Sequence, residues 1–352
     1  MSALPSPKTN PTPIFEIFRG SYATELLTVA VMQFKLFEML RKGPLSFATI
    51  RQNCGLSERA MRVLQTAIQS MGLIRCHKFT GHDSDQYELT DLAREHILAG
   101  EEFDVSAYVG LAADAPGVAA MASRLRSDKP AEKHVGGTGA AFIYRDGMDS
   151  AMEEEKSARH LTMALAGRAK NVAPVLAQVA PIQNTKKILD IGGGTGIYSF
   201  AMLRKYPHLK AVIMDRAQVL KVAKEMATEY NVSDRVEFLP GDFFADAFPS
   251  DCDTLLLSNI LHDWHTPECR EIVQKCAKAL PVGGQLLIHD VFLNDDLSGP
   301  LPTALYSAAL FTLTEGRAYS GLEYQTWLRE AGLKVQPMQP TLVHCGVMAA
   351  VK

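Results

Sequence analysis

The chain has 352 residues, enough for two domains with cores of their own. At 47% hydrophobic and 21% charged it has the balance of an ordinary soluble globular protein. A net charge of −3 gives no reason to expect nucleic acid or an acidic membrane as partner. The start, Met1-Ser2-Ala3-Leu4-Pro5, lacks the apolar core of a signal peptide, and no apolar run is long enough to span a bilayer. Cys54, Cys76, Cys252, Cys269, Cys276 and Cys345 form no C-x-x-C pair, so reduced thiols in a cytoplasmic protein are expected.

Pro5, Pro7, Pro11 and Pro13 make the first dozen residues a mobile or docking arm. Apolar residues then recur at helical spacing from Ile14 to about Leu40, and Gly43-Pro44 breaks that helix. Ser57 caps a helix over Glu58 to Ile68, which stops at Gly72. Leu73 to Cys76 and Gln86 to Thr90 read as two strands around a polar loop. Together these elements form a helix-turn-helix with a β-wing. Such a module reads DNA or serves as a dimerisation or lid module. A DNA reader carries a basic recognition helix, whereas here Arg59 and Arg62 are offset by Glu58 and followed by Gln65, Thr66 and Gln69. The second reading is favoured.

Phe103 to Leu125 reads as helical with a break at Pro116-Gly117. Gly136-Gly137-Thr138-Gly139 lacks strand–helix flanks and is given no phosphate role, and Glu153-Glu154-Glu155 reads as a solvated first helical turn. A helix over Ala158 to Leu176 leads into the next domain near Thr185.

The chain is organised around Lys187-Ile188-Leu189-Asp190-Ile191-Gly192-Gly193-Gly194-Thr195-Gly196, followed by a helix from Ile197 to Leu203. Strand, glycine turn and helix make the opening βα unit of a doubly wound nucleotide-binding fold. G-x-G-x-x-G fails, because its third glycine falls on Ile197, and no P-loop occurs. What is present is G-x-G-x-G preceded by an acid. Lys210 to Asp215 is a strand ending in a second acid, 19 residues after Gly196, where an acid suits the two hydroxyls of a ribose.

Further strands are expected at Val236 to Pro240, Cys252 to Ser258, Gln285 to Asp290, Leu333 to Val335 and Val343 to Val351. Helices are expected at Arg216 to Tyr230, Pro267 to Leu280, Pro302 to Leu313 and Leu322 to Ala331. The alternation implies a mostly parallel sheet, with ligands beyond the carboxyl ends of its strands. Asp215, Asp242, Ser258 to His262 and Asp290 all fall at such ends. A histidine there suits proton removal from a phenol or similar hydroxyl, and Asp290 on the neighbouring strand can fix its tautomer. His262, Asp263 and His265 do not have zinc-ligand spacing, so no metal is expected.

With these residues in place, the chain from about Ile14 to Lys352 resembles the caffeic-acid and hydroxyindole type of O-methyltransferase that uses S-adenosylmethionine, including bacterial relatives acting on small molecules. Gly43-Pro44, Gly72-Leu73-Ile74 and Tyr87-Glu88-Leu89-Thr90 carry the N-terminal part of the likeness, and Gly192-Gly193-Gly194-Thr195-Gly196 with His262-Asp263-Trp264 carry the rest. The resemblance implies an α/β class I methyltransferase: a Rossmann-like sheet with an N-terminal all-helical winged-helix dimerisation domain, assembled as a homodimer. It divides the chain into a dimerisation domain (1–100), a helical linker and substrate lid (101–180) and a cofactor-binding catalytic domain (181–352). By the same resemblance Gly192 and Gly194 line the cofactor, Asp215 holds its ribose, Asp242 with Phe243 brackets the adenine, and Gly241 is a further cofactor-binding residue. Ser258 is a further cofactor contact, Met163 lines the active site, and Arg159 is the expected partner of the cofactor carboxylate. His262 is the base and Asp290 the acid flanking it.

The chain departs from the family at His265 and Thr266 and at Ala318, where a second flanking glutamate is expected; Glu315 is the nearest substitute in sequence. The leading expectation is O-methylation of a small, hydrophobic, aromatic secondary metabolite. C-methylation, a repurposed member of the fold, and a winged-helix regulator that senses S-adenosylmethionine are the alternatives.

Overall fold

A computed structural model describes residues 4–77, 79–129 and 155–352. Gly136 to Gly139, Phe142, Glu153 and Glu154 lie outside the described residues. The chain forms two compact units, one from residues 16–129 and 293–320, the other from 4–15, 155–292 and 321–352. The expected divisions at 100 and 180 therefore cut across both units. The helix expected from Ala158 runs Glu155–Val179 and belongs with the catalytic sheet, while the Leu301–Leu313 helix belongs with the N-terminal unit.

The long helix expected from Ile14 to Leu40 is broken into Thr12–Arg19, Ala23–Thr28 and Leu36–Leu40. The breaks are a tighter turn at Gly20–Tyr22, a wider one at Val29–Gln33 and a left-handed Lys35 (φ 51°). Tight and wide turns stay close to the helical period, so the apolar spacing persists across them and the sequence does not reveal the interruptions. Helix α1 (Glu58–Ser70) begins at Ser57, whose Oγ accepts from the Ala60 amide at 3.1 Å. The domain is mostly rather than wholly helical. The wing strands are real: β1 (Leu45–Ser46), β2 (Ile74–Cys76) and β3 (Gln86–Leu89) form an antiparallel sheet in the order β1-β3-β2. Pro116 does not interrupt a helix. It opens one, Pro116–Ser127, where its missing N–H costs nothing.

Helix α1 is buried from Arg59 to Gln69, packed with Phe37, Phe47, Met121 and with Leu305, Ala308 and Phe311 of the Leu301–Leu313 helix. Its two arginines face inward. Arg59 bonds Asp128 and the carbonyls of Thr314 and Gly316 and sits 4.5 Å over the Phe311 ring. Arg62 bonds the Gly81 carbonyl and lies 3.7 Å over Phe47. A helix enclosed in this way offers no basic face to a DNA groove.

The catalytic unit is a sheet in the order β6-β5-β4-β7-β8-β11-β9, from β4 (Lys187–Ile191), β5 (Lys210–Asp215), β6 (Val236–Pro240), β7 (Thr254–Ser258), β8 (Gln285–Leu293), β9 (Lys334–Val335) and β11 (Cys345–Val351). Strands β4 to β8 run parallel; β11 returns antiparallel to β8, and the short β10 (Gln339–Pro340) pairs with β11. Helices α2 (Glu155–Val179), α3 (Ile197–Lys205) and α4 (Ala217–Glu229) pack together, and α5 (Thr266–Ala279) packs on the Gly321–Glu330 helix. With both faces covered, β4 and β7 are continuous buried runs rather than alternating ones. The strand order reverses beside β4, and the crevice that opens at such a reversal is where ligands bind.

Candidate active site

The turn after β4 is held open for a ligand. Gly194 has φ +58°, lines the cavity, and would carry a Cβ with no atom within 4 Å. Gly193, which shows no left-handed backbone, is required for packing instead: a Cβ there would stand 2.8 Å from Asp190 Cγ and Ile213 Cγ2. Beneath the turn, Asp190 accepts from Ser199 Oγ at 2.7 Å, and burial pushes its carboxyl up to about 7.

From β5 the cavity receives Asp215, whose two oxygens accept from the amides of Gly194 (2.9 Å) and Arg216 (2.7 Å). Burial raises its pKa against those two bonds. Gly241, Asp242 and Phe243 line the cavity beyond β6, and Gly192 and Ser258 line it beyond β4 and β7. Trp264 closes this end, meeting Phe243 and Phe244 edge-on at 5.9 and 4.7 Å. Lys275 of α5 donates to the carbonyls of Phe243 and Phe244 at 2.7 and 2.9 Å, which fixes the aromatic turn.

Helix α2 supplies the remaining wall through Thr162, Leu165, Arg168 and Ala169. Two expectations are corrected here. Arg159 is not a cavity residue; its guanidinium makes a two-pronged pair with Glu225 at 2.8 and 2.9 Å. Met163 is also off the wall and is 38% exposed. Arg168 lies nine residues beyond Arg159, about half a turn out of phase at 3.6 residues per turn. The repeat 162, 165, 168, 169 marks one face, so a helical wheel drawn on the predicted helix could have chosen Arg168. Tyr198 and Asn259 are further lining residues that the sequence analysis passed over.

Next to the cavity, His262 Nδ1 and Asp290 Oδ1 lie 2.5 Å apart, both side chains almost completely buried. The Val291 amide donates to the same Asp290 oxygen at 2.8 Å. Burial alone would lower the His262 pKa; the Asp290 and Asp263 carboxylates outweigh it, and the net shift is upward. Asp290 is shifted downward, because the imidazole beside it outweighs burial. Asp263 Oδ1 stands 3.6 Å from the other ring nitrogen, Nε2, and burial raises its carboxyl to about 6. The second acid facing the histidine within this unit is thus the very next residue in sequence. Among the described residues no cluster of His, Cys, Asp and Glu could hold a metal ion.

A parallel-sheet crevice and a glycine turn with an acid on the neighbouring strand form a nucleotide-type site, and a buried His–Asp pair lies beside it. Residues 120–334 match the O-methyltransferase domain and residues 15–98 the O-methyltransferase dimerisation domain, and the chain belongs to that family. It is similar to the 3-hydroxy-5-methyl-1-naphthoate 3-O-methyltransferase of Streptomyces sahachiroi, 31% identical over 94% of this chain and 92% of that one. It is also similar to an O-methyltransferase family 2 protein of Planctomyces limnophilus solved in complex with apigenin, at 43% identity and TM-score 0.88 over 100% and 99% of the two chains. Human N-acetylserotonin methyltransferase, solved with S-adenosylmethionine, shares the fold at 20% identity and TM-score 0.60 over 99% of each chain. The protein is an S-adenosylmethionine-dependent methyltransferase whose homologues include O-methyltransferases of small-molecule secondary metabolites. No described helix is long and apolar enough to cross a membrane.

Proposed function

We propose that this protein, as a homodimer, methylates a hydroxyl on a small aromatic metabolite with His262 as general base. The observation that carries the reading is the buried pair of His262, in the turn after β7, and Asp290, three residues before the end of β8, beside the cofactor crevice. S-adenosylmethionine, when bound, supplies a methyl group already activated on sulfonium. The cavity residues fit it: Asp215 for the ribose hydroxyls, Asp242 and Phe243 about the adenine, the open Gly194 for close backbone approach, and Gly192, Gly241 and Ser258 as walls. Arg168 takes the place expected of Arg159 at the carboxylate.

Asp290 accepts from Nδ1–H, which leaves the Nε2 lone pair to receive the acceptor's proton. Asp290 stabilises the resulting imidazolium, and Asp263 adds a second carboxyl on the Nε2 side. A hydrophobic aromatic guest suits relatives named for a hydroxynaphthoate or crystallised with apigenin. The test is calorimetric titration with S-adenosylmethionine and S-adenosylhomocysteine, with Asp215→Ala as control, followed by a screen of phenols. Binding lost in the control, and products carrying the new methyl on oxygen, uphold the reading. Methyl on carbon overturns the hydroxyl assignment, and absence of binding to folded protein overturns the whole.

A further inference from the structure

One carboxyl of the cavity wall is placed to meet a ligand and the base at once. Asp190, Asp215, Asp242 and Asp263 all line the cavity. Asp215 has both oxygens engaged by the amides of Gly194 and Arg216. Asp190 is 1% exposed and holds Ser199 Oγ beneath the glycine turn. Asp242 lies beyond β6, where it accepts from the Phe244 amide. Asp263 ends the short turn Leu261–Asp263 after β7, and its side chain keeps 14% of its surface. Its Oδ1 stands 3.6 Å from His262 Nε2, too far for a hydrogen bond.

Arg168 enters the same cavity from helix α2. Its guanidinium is close enough to Asp263 to act on that carboxyl against burial, whereas Asp190 and Asp215 are shifted by other neighbours. A guanidinium and a carboxylate within electrostatic reach of each other on one wall complement the carboxylate and ammonium of an α-amino acid. We infer that Asp263 binds the α-ammonium group of the cofactor beside Arg168, and that this pairing withdraws the Asp263 charge from His262. The inference rests on the crevice holding S-adenosylmethionine.

The charged groups that face His262 are Asp290 on Nδ1, Asp263 on the Nε2 side and Arg168. The two carboxylates together raise the ring's pKa against burial and the guanidinium. An ammonium seated on Asp263 offsets one of them, so the ring's pKa falls on binding and protonated His262 gives its proton to solvent. Asp263, raised to about 6 by burial, also sheds any proton it carries when a cation pairs with it. Both changes have the same sign, and protons leave as the cofactor arrives. His289, next to Asp290 in sequence, takes no part: burial holds it neutral, its pKa lowered to about 3. The acceptor hydroxyl therefore meets a neutral base when the methyl donor is in place.

The experiment compares S-adenosylhomocysteine with 5′-methylthioadenosine, which lacks the amino-acid end, by calorimetry on the full chain. It is run at about pH 6.5, where a free α-amino group, with an ordinary pKa of about 7.7–8.0, is already protonated. Titrations in phosphate and in bis-tris, buffers of low and high ionisation enthalpy, count the protons exchanged. Wild-type protein is expected to release protons with S-adenosylhomocysteine and none with methylthioadenosine. Equal release with both ligands, or release with neither, overturns the coupling to His262, and that count needs no variant. Asp263→Asn, isosteric and checked for folding by thermal melting, should bind S-adenosylhomocysteine about tenfold to a hundredfold more weakly, with methylthioadenosine unchanged. An equal loss for both ligands, or for neither, overturns the assignment to the ammonium. Failure of wild-type protein to bind either ligand would instead strike the cofactor reading beneath it.

Discussion

Gly194→Ala separates a cradle for a ligand from a merely tight turn. The position has φ +58° and open space where the Cβ would stand. The substitution therefore clashes with nothing in the protein and costs only the left-handed strain, about 1–2 kcal/mol. That corresponds to a fall in Tm of about 2–8 °C for a unit of this size. The added methyl projects into space the proposal gives to the cofactor, and crowding of that kind costs about 1–3 kcal/mol. S-adenosylhomocysteine should therefore bind about fivefold to 150-fold more weakly. Gly283→Ala is the matched control, with φ +80°, no neighbour within 4 Å of the Cβ, and a place in the turn before β8 rather than on the cavity wall. Melting curves and calorimetry on both variants decide the matter. If both lose similar stability and both keep wild-type affinity, Gly194 does not bed the ligand and the cradle argument fails.

His262→Ala should lower kcat by about 10²–10⁴-fold, the usual worth of general-base catalysis, while cofactor affinity in calorimetry stays near wild type; a variant as fast as wild type would remove His262 from the chemistry. The raised His262 pKa places the rising limb of the kcat/KM pH profile above the ordinary histidine value of 6.5, since only the neutral ring accepts a proton. Asp290→Asn deletes the larger of the two raising carboxylates, so the limb should move to lower pH while the maximal rate falls; a limb that stays put would show that another group titrates. Arg59→Met leaves Asp128 and the carbonyls of Thr314 and Gly316 without their donor. Urea unfolding should show a loss of about 2–4 kcal/mol. A loss below about 1 kcal/mol would mean the buried guanidinium does not hold the helix in place.

What the sequence made legible is what local chain geometry determines. Gly192, Gly194 and Gly196 all have positive φ, so their spacing is written directly in residue type. Acids at strand ends follow from periodicity, and Asp215, Asp242 and Ser258 do line one cavity. Which face of a helix meets that cavity is a tertiary matter, so Arg159 was expected where Arg168 stands. Asn259 and Tyr198 were passed over for a similar reason: nothing local announces that they meet the same cavity. The Leu301–Leu313 helix is apolar on every side, so its pattern names no partner, and its place in the N-terminal unit could not be read. Arg59 and Arg62 could be weighed only as charges offset by Glu58, because sequence shows charge but not the aromatic rings of Phe311 and Phe47 that cover it.

The histidine pair carries a tension that the proposed chemistry needs. Burial favours neutral His262, which keeps the ring free to accept a proton but makes it a weak base. Asp290 and Asp263 pull the other way, strengthening the base while enlarging the fraction already protonated at neutral pH. A base is most effective when its pKa lies near the working pH, so neither influence alone would serve. Asp290 is placed on Nδ1, where its bond to the Val291 amide also holds it in position. In the proposed reaction the stronger of the two carboxylates acts from behind the ring and leaves Nε2 for the acceptor. The weaker one, at 3.6 Å, sits on the reacting side, and its own carboxyl is raised to about 6. An acid that is reluctant to ionise stabilises imidazolium less than Asp290 does, and in the proposed reaction that spares the proton His262 would have to release before the next turnover.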